Sequence, residues 1–537
     1  MAAAQRATRS KNGCFTCRKR KLKCDETHPI CKRCTADHFS CDWPVSCPSK
    51  NAASPTRSKD KNNKTRLPLL EPRARSDTGL QFQNARQVSI GLSPKDQQLE
   101  LANSMTIAAR DRRFLEYFPS TTLYCIYNGG NWSLMQYLVR ELAPSSIGVT
   151  RMMLAMSASE MHRKGLGMGA RAAQEAMDSG LQHYNLALKH LSDSLLGEET
   201  GGGGESVEAL IATIFFMVNY EIHFSNTADR AMAHLRGLWA LVSKHPVFHG
   251  QEGDAKLSLV PRNTRAEASV YLSCQLILWL LHADISGTSN GATQSLLELL
   301  NGSDNPNLQL ARVSSLARLG RGRIWGDKYP QGQLLTDMAL HRPLEFGHQI
   351  LALRYHIWAL RTSGGPHLSD GTTAESLLDQ LLHLGETYSD VLLLADETAA
   401  VPWSADIDSI TGVCASYWAC ILFHRRVLGA PGPQETLHEE AVAKIVKMLY
   451  YRSEWETDRR RQVRVIWVVF MAAIETPDPI HRDWLLERLR VTRNETVECK
   501  ALCAAAEQML SIQTVPGIPW VDLGAYMQPQ VKSSPVG

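Results

Sequence analysis

The sequence predicts a mostly α protein in three parts: a small cysteine-held domain, a disordered linker and a large all-α body. Three observations carry this. Six of the 13 cysteines fall between Cys14 and Cys41. Residues 47–95 are rich in Pro, Ser, Asn and Lys and poor in large apolar side chains, the composition of a linker. From about residue 96 onward, apolar residues recur at spacings of three and four, with helix breakers only at intervals. The expected boundaries are a disordered arm at 1–10, the cysteine domain at 11–46, the linker at 47–95, the helical body at 96–515 and a tail at 516–537.

The segment from Cys14 to Cys41 is spaced C-x2-C-x6-C-x6-C-x2-C-x6-C, one unit written twice. A repeat of thiol ligands points to two metal ions. A structural zinc takes four ligands in a tetrahedron, so two separate sites need about eight thiolates where six are present, and two cysteines must bridge. The first cysteine of each unit is the symmetric choice. One ion is then held by Cys14, Cys17, Cys24 and Cys31, and the other by Cys31, Cys34, Cys41 and Cys14. A disulfide framework is the competing use of these residues, but it needs an oxidising compartment, and the first ten residues carry no apolar run that would direct export. His28 and His38 are surplus as ligands once six thiolates close both sites.

The two units differ in what lies inside them. Between Cys17 and Cys24 the residues are Arg18, Lys19, Arg20, Lys21, Leu22 and Lys23, whereas between Cys34 and Cys41 they are TADHFS. Six thiolates and two divalent ions leave a formal charge of about −2, which five cations more than offset. The surplus suits a polyanion, since neutralising phosphates releases counterions and gives affinity that falls with salt. Lys or Arg can also donate to guanine O6 and N7 in the major groove. Helical periodicity alone does not say which cation reaches a base, and Leu22 is expected to pack the two units together. Charge is polarised along the whole chain: residues 1–75 hold 18 Lys and Arg against 6 Asp and Glu, and the remainder 40 against 48. A basic head and a mildly acidic body imply different partners.

The cysteine spacing, the run Arg18 to Lys23, Asp25, Pro29 and Trp43 together resemble the fungal binuclear zinc-cluster family of transcription factors. The resemblance implies two Zn2+ ions per cluster and double-stranded DNA with CGG-containing sites as partner. It implies Lys21 as principal base contact with Arg20 beside it, and Arg18, Lys19 and Lys23 on phosphates or shielding thiolates. It also implies a nuclear regulator of RNA polymerase II transcription in a fungus. Lys59, Lys61, Lys64 and Arg66 in the linker either extend phosphate contact and assist nuclear import or are solvated linker charge. Many relatives pair through a heptad coil after the cluster. Here residues 96–118 offer about two weak heptads interrupted by Arg110-Asp111-Arg112-Arg113, so a homodimer and the order of its half-sites stay open.

In the body, helices are expected over 150–164, 170–196, 205–223, 228–244, 265–283, 294–300, 345–362, 375–395, 405–428, 436–451, 462–474, 482–490 and 494–511. Gly201 to Gly204 reads as a loop tip. GLGMGA (165–170) and GRGRIWG (320–326) lack the flanking strand that a phosphate-binding loop requires. Cys125, Cys274, Cys414, Cys420, Cys499 and Cys503 read as buried small hydrophobes. No run of 18 apolar residues free of charge marks a membrane span.

The segments HYNLALKHL (183–191), ALIATIFFMVNYE (209–221), HLRGLWALV (234–242), VIWVVFMAAIE (465–475) and HRDWLLERL (481–489) resemble the fungal-specific transcription factor domain. That resemblance implies a regulatory helical domain that gates activity or recruits transcriptional co-regulators. His234, Arg236 and Gly237 are expected to pack helices, the glycine allowing close approach, with a ligand pocket as the competing reading; Glu475, Arg482 and Trp484 are read the same way. No HExxH, G-x-S-x-G or convergent Cys/His signature is present, and His282 and Asp284 on an apolar helix read as core groups, so no enzyme is expected. The segment 515–527 either recruits an activator or docks back on the body. The rival readings are a zinc-cluster interaction protein that never reads DNA and a ligand sensor acting through the helical body.

Overall fold

The computed structural model describes residues 14, 16–17, 24–27, 31–36, 109–166, 169–199, 205–225, 228–249, 265–288, 295–396, 404–429, 435–455, 458–513 and 523. The chain divides into two compact units, Met1–Val88 and Ser89–Gly537. Arg18, Lys19, Arg20, Lys21, Lys23, Cys41, the linker 47–95 and the segment Gly201 to Gly204, expected as a loop tip, lie outside the described residues. Within the first unit the described regular element is a short helix, α1 (Lys32–Ala36).

The second unit is helical throughout its described residues, with no strand among them and one isolated bridge between His367 and Thr373. Three short pieces open it: α2 (Ala109–Tyr117), α3 (Thr122–Tyr127) and α4 (Leu134–Tyr137). The long helices then follow as α5 (Ile147–Lys164), α6 (Ala170–Glu199), α7 (Val207–Phe224), α8 (Ala228–Lys244), α9 (Arg265–Thr288), α10 (Leu296–Asn301), α11 (Leu310–Trp325) and α12 (Gln331–Ser363). The C-terminal half adds α13 (Ala374–Thr387), α14 (Ser389–Asp396), α15 (Ala405–Leu428), α16 (Glu435–Trp455), α17 (Arg459–Gln462), α18 (Ile466–Glu475), α19 (Pro479–Thr492) and α20 (Val497–Gln513).

Local chemistry sets several of these ends. Helix α5 starts where Ser146 Oγ accepts the Val149 N–H at 3.1 Å, and stops at Gly165, whose φ of 59° is left-handed. His162, Arg163 and Lys164 occupy its last turn, where cations meet the negative end of the helix. A capping box of Ser295 and Glu298 opens α10, and another of Thr373 and Ser376 opens α13.

Two hydrophobic cores organise the unit. The first draws on α3 to α11 and includes Phe118, Phe215, Phe216, Tyr271 and Leu297. The second runs from α12 to α20 and includes Phe346, Phe423, Trp467, Phe470 and Leu489. Helix α12 belongs to both: Leu351 and Tyr355 face the first core, Leu353 and Ile357 the second. Val207–Phe224 and Ala268–Ile285 are long and apolar enough in composition to cross a membrane, yet 78% and 72% of these windows are buried inside the fold, the situation of core helices.

Several expectations are corrected by the fold. The helix expected over 345–362 begins at Gln331 and passes through the buried Pro343; packing on both sides sustains a helix across a residue that locally disfavours it. The glycine-rich piece at 320–326 belongs largely to α11, where a Cβ on Gly320 would stand 3.2 Å from the Gln275 side chain on α9, so the glycine serves helix contact. The element expected over 375–395 is two helices, α13 and α14, separated at Tyr388. Gly237 is exposed, and a Cβ added there would meet nothing within 4 Å, so it does not create a close approach. Gly180 does: a Cβ there would meet Ser159 Oγ at 2.4 Å across the α5–α6 contact.

Candidate metal centre

The described part of the first unit is held by its thiols. Cys14, Cys17, Cys24, Cys31 and Cys34 are all buried and form its core among the described residues. Cys14 Sγ lies 3.8 Å from Cys31 Sγ, 3.8 Å from Cys34 Sγ and 3.9 Å from Cys24 Sγ. Cys17 Sγ lies 3.6 Å from Cys31 Sγ and 3.9 Å from Cys34 Sγ. A tetrahedron with zinc–sulfur bonds of about 2.3 Å has sulfur–sulfur edges of about 3.8 Å. The donor set therefore fits zinc in chemistry and in spacing.

Cys14, Cys17, Cys24 and Cys31 come within 4.8 Å of one another and can hold a metal ion. These are the four ligands expected for the first ion. Of the set expected for the second, Cys14, Cys31 and Cys34 are gathered, while Cys41 lies outside the described residues.

The sequence repeat reappears as a repeat of hydrogen bonds. Cys17 N–H donates to Cys14 Sγ at 3.4 Å, and Cys34 N–H donates to Cys31 Sγ at the same distance. Each C-x2-C pair thus turns its chain so that a backbone dipole faces the first sulfur, the support a thiolate ligand needs. Burial pushes the Cys17 thiol up to about 12, and its hydrogen bonds to Cys14 and Cys31 add to the rise. A metal ion takes these ligands as thiolates, so its binding releases their protons.

Asp25 has a positional role that spacing alone does not disclose. Its Oδ2 accepts from Lys32 N–H at 3.2 Å and from the Thr27 hydroxyl, so it ties the turn after Cys24 to the start of α1. The Thr27 hydrogen bond holds its carboxyl below the usual range. Glu26, between them, takes φ of 58° and donates its N–H to Cys24 Sγ at 3.4 Å. An Asp followed two residues later by Thr is a turn signal, and it is the trace this role leaves in the sequence.

In the helical body, the segments singled out by sequence meet in space. Tyr184 Oη donates to Glu221 Oε1 at 2.7 Å and lies 2.8 Å from His234 Nε2, joining α6, α7 and α8. Glu475 at the end of α18 binds Arg426 Nη1 at 2.9 Å and His438 Nε2 at 2.8 Å. Arg482 donates to the Thr476 carbonyl at 2.9 Å. Trp484 lies beneath Arg488, whose guanidinium carbon is 3.9 Å from the ring centroid. These residues serve packing. Cys125, Cys274, Cys414, Cys420, Cys499 and Cys503 are buried and unbridged, as expected. Leu523, the described residue of the tail, is buried in the second core.

Comparison with known proteins agrees with both units. Residues 12–50 match the fungal Zn(2)-Cys(6) binuclear cluster domain, and residues 113–296 match the fungal specific transcription factor domain. The chain is 54% identical over 50 residues to the transcription factor lfc1 of Flammulina velutipes, covering 9% of this chain and 16% of that one. It is 30% identical over 104 residues to the transcriptional regulatory protein moc3 of Schizosaccharomyces pombe, covering 18% and 20%. It is 24% identical over 233 residues to the aspercryptin biosynthesis cluster-specific transcription regulator atnN of Emericella nidulans, covering 42% and 34%. The matched segments thus span about a third or less of these relatives. No solved structure matches the chain significantly. With a zinc-fitting thiol cluster in one unit and a match to the fungal specific transcription factor domain in the other, the chain carries the two domain types of fungal zinc-cluster transcription factors, with zinc as the cofactor of the first.

Proposed function

We propose that this protein is a nuclear, sequence-specific DNA-binding regulator of RNA polymerase II transcription, without enzymatic activity, that reads CGG-type triplets. The observation that carries the reading is the gathering of Cys17 and Cys24 into one metal-binding group, because these two residues bracket the run Arg18 to Lys23. Zinc, when bound, supplies the cross-link that gives so short a segment its fold. Cys14, Cys17, Cys24 and Cys31 hold one ion, and Cys31, Cys34, Cys41 and Cys14 the other, with residues 11–46 as the DNA-binding domain. The cations between Cys17 and Cys24 then meet DNA as one preorganised patch. Lys21 and Arg20 donate to guanine edges in the major groove, and Arg18, Lys19 and Lys23 neutralise phosphates. The helical body at 96–515 gates this activity or presents a surface to co-regulators.

The test is binding of the full zinc-loaded chain to a CGG-bearing duplex and to its scrambled counterpart across salt concentrations. A preference for the CGG duplex, a negative salt slope, and loss of that preference by about 1–3 kcal/mol in Lys21→Ala are expected. Equal affinity for both duplexes in the unaltered protein sinks sequence-specific reading and favours a zinc-cluster protein that acts on other partners.

A further inference from the structure

Helix α6 turns two different faces to its surroundings. Ala176, Ser179, Gly180, His183 and Ala187 are buried, with Gly180 taking up the close approach to α5. The opposite face is open to solvent along a helix of 30 residues, about 45 Å long. Exposed leucines scattered singly over a surface are ordinary. Five of the fifteen exposed large apolar side chains, however, gather on this one helix: Met177, Leu181, Leu186, Leu188 and Leu196. Asp178, Leu181, Gln182, Asn185, Leu186 and Lys189 line a shallow groove along it.

The order of side chains on this face states what fits it. Seven residues are about two helical turns, so residues seven apart share a row. Leu181 and Leu188 form one row, Asp178, Asn185 and Ser192 the next, and Gln182 and Lys189 a third, all of them exposed. The central row is held in place at one end, where Asp178 Oδ1 accepts from Gln174 Nε2 at 3.0 Å. Read outward from Asn185 in both directions, the three rows match one another. Asp178 and Ser192 are equally far from it, and so, to within one residue or about 1.5 Å, are Leu181 and Leu188, and Gln182 and Lys189.

That symmetry is what an isologous twofold contact requires, in which residue i meets j and j meets i. With a second α6 laid antiparallel and the twofold axis at Asn185, each row lies beside its own copy. Leu181 meets the second copy's Leu188, so the apolar row buries itself. The Asp178 carboxylate comes level with a Ser192 hydroxyl, a donor for an acceptor. The Lys189 ammonium comes level with the Gln182 amide oxygen. On the axis Asn185 meets Asn185, and a side-chain amide both donates and accepts; one such polar residue in a helical seam fixes its register. A parallel pair would set Asp178 against Asp178 and Lys189 against Lys189, which is unfavourable.

We propose that the outward face of α6 is a homodimer contact, formed by a second copy of this chain packed antiparallel about a twofold axis at Asn185. A contact along one helix is smaller than the standard interface of about 1,600 Å², so the association is of micromolar rather than nanomolar strength. It lies within the helical body and does not rest on DNA reading by the cysteine domain, so its tests need no DNA.

The first test is sedimentation of the full zinc-loaded chain from about 1 to 100 µM. A monomer–dimer equilibrium is expected, and the double variant Leu181→Asp with Leu188→Asp is expected to raise its dissociation constant at least tenfold. Leu335→Asp, on α12 and 68% exposed in the unaltered chain, is expected to leave it unchanged. The second test fixes the axis by air oxidation, read on non-reducing gels against the unsubstituted chain. Asn185→Cys is expected to give a disulfide-linked dimer, and Gln174→Cys none, because on the same face the two copies of residue 174 stand about 33 Å apart along the helices. The cysteine variants supply the readout if the aspartate variant does not fold. The proposal is overturned if the unaltered chain is monomeric throughout, if the dimer survives the two aspartates or is lost equally with Leu335→Asp, or if position 185 cross-links no better than position 174.

Discussion

The cysteine unit and the helical body solve the same problem with opposite means. Among its described residues, the first unit has a core made of five cysteines and nothing else. The body buries two extensive cores of Leu, Ile, Phe, Met and Trp around a shared helix, α12. A segment of a few dozen residues cannot remove enough apolar surface from water to offset its chain entropy, so it relies on metal–thiolate bonds. The body relies on burial and closes its remaining polar groups in pairs such as Arg426 with Glu475. One unit should therefore answer to chelators and the other to core and ion-pair substitutions.

The largest expected effect is on the first unit. Removing zinc with a chelator, or Cys14→Ser, forfeits on the order of 10 kcal/mol of metal-linked folding energy there. DNA binding is lost while the far-UV helical signal and melting temperature of the body hold. Circular dichroism and calorimetry on the full chain check this, and a collapse of the body on chelation breaks the separation of the two.

Within the body, Arg426→Met leaves Glu475 buried with His438 alone, and a loss of about 3 kcal/mol in urea unfolding is expected, with zinc content unchanged. A smaller effect depends on pH. Burial pushes the Asp284 carboxyl up to about 7, against the hydrogen bond it accepts from Leu296 N–H at 2.7 Å. The unfolded value is about 3.9. Between these values the unfolded chain releases a proton that the folded chain keeps. The contribution of this group to stability is thus complete below about pH 4 and is lost as pH rises through about 7. Asp284→Asn keeps an acceptor for Leu296 and should flatten that slope, stabilising the body at pH 8 by on the order of 2 kcal/mol; urea midpoints across pH 5–8 measure it.

The smallest effects distinguish two glycines. Gly180→Ala places a Cβ against Ser159 Oγ, which Tyr220 holds at 3.0 Å, and should cost about 1–3 kcal/mol. Gly237→Ala meets open space on an exposed helix face and should gain about 0.5–1 kcal/mol. Thermal melts of the two variants, expected to move in opposite directions, test whether Gly180 on α6, and not Gly237 on α8, is the glycine that helix packing needs.

Much of this molecule is legible in its amino-acid order. Ligand spacing is local, so the cysteine repeat discloses the metal class and a ligand set that the fold gathers within 4.8 Å. Apolar periodicity is also local, and it locates most long helices, including α6, α7 and α15, to within a few residues. It fails at Pro343 and at Gly320, where residues that normally end a helix are carried inside one by packing from other parts of the chain. The motifs at 183–191, 209–221 and 234–242 stand out in the sequence, but not the Tyr184, Glu221 and His234 contact that unites them, because hydrogen bonding between helices depends on their mutual placement.

Sequence by itself thus determined the chemistry of the head and the helical class of the body, since both are written in spacings along one chain. Only the tertiary structure decided that Gly180 rather than Gly237 lets helices approach, and that Glu475 is paired with Arg426 and His438. Burial and partnership are properties of groups distant in sequence, and Arg426 and Glu475, 49 residues apart, read as unrelated charges until the fold brings them together.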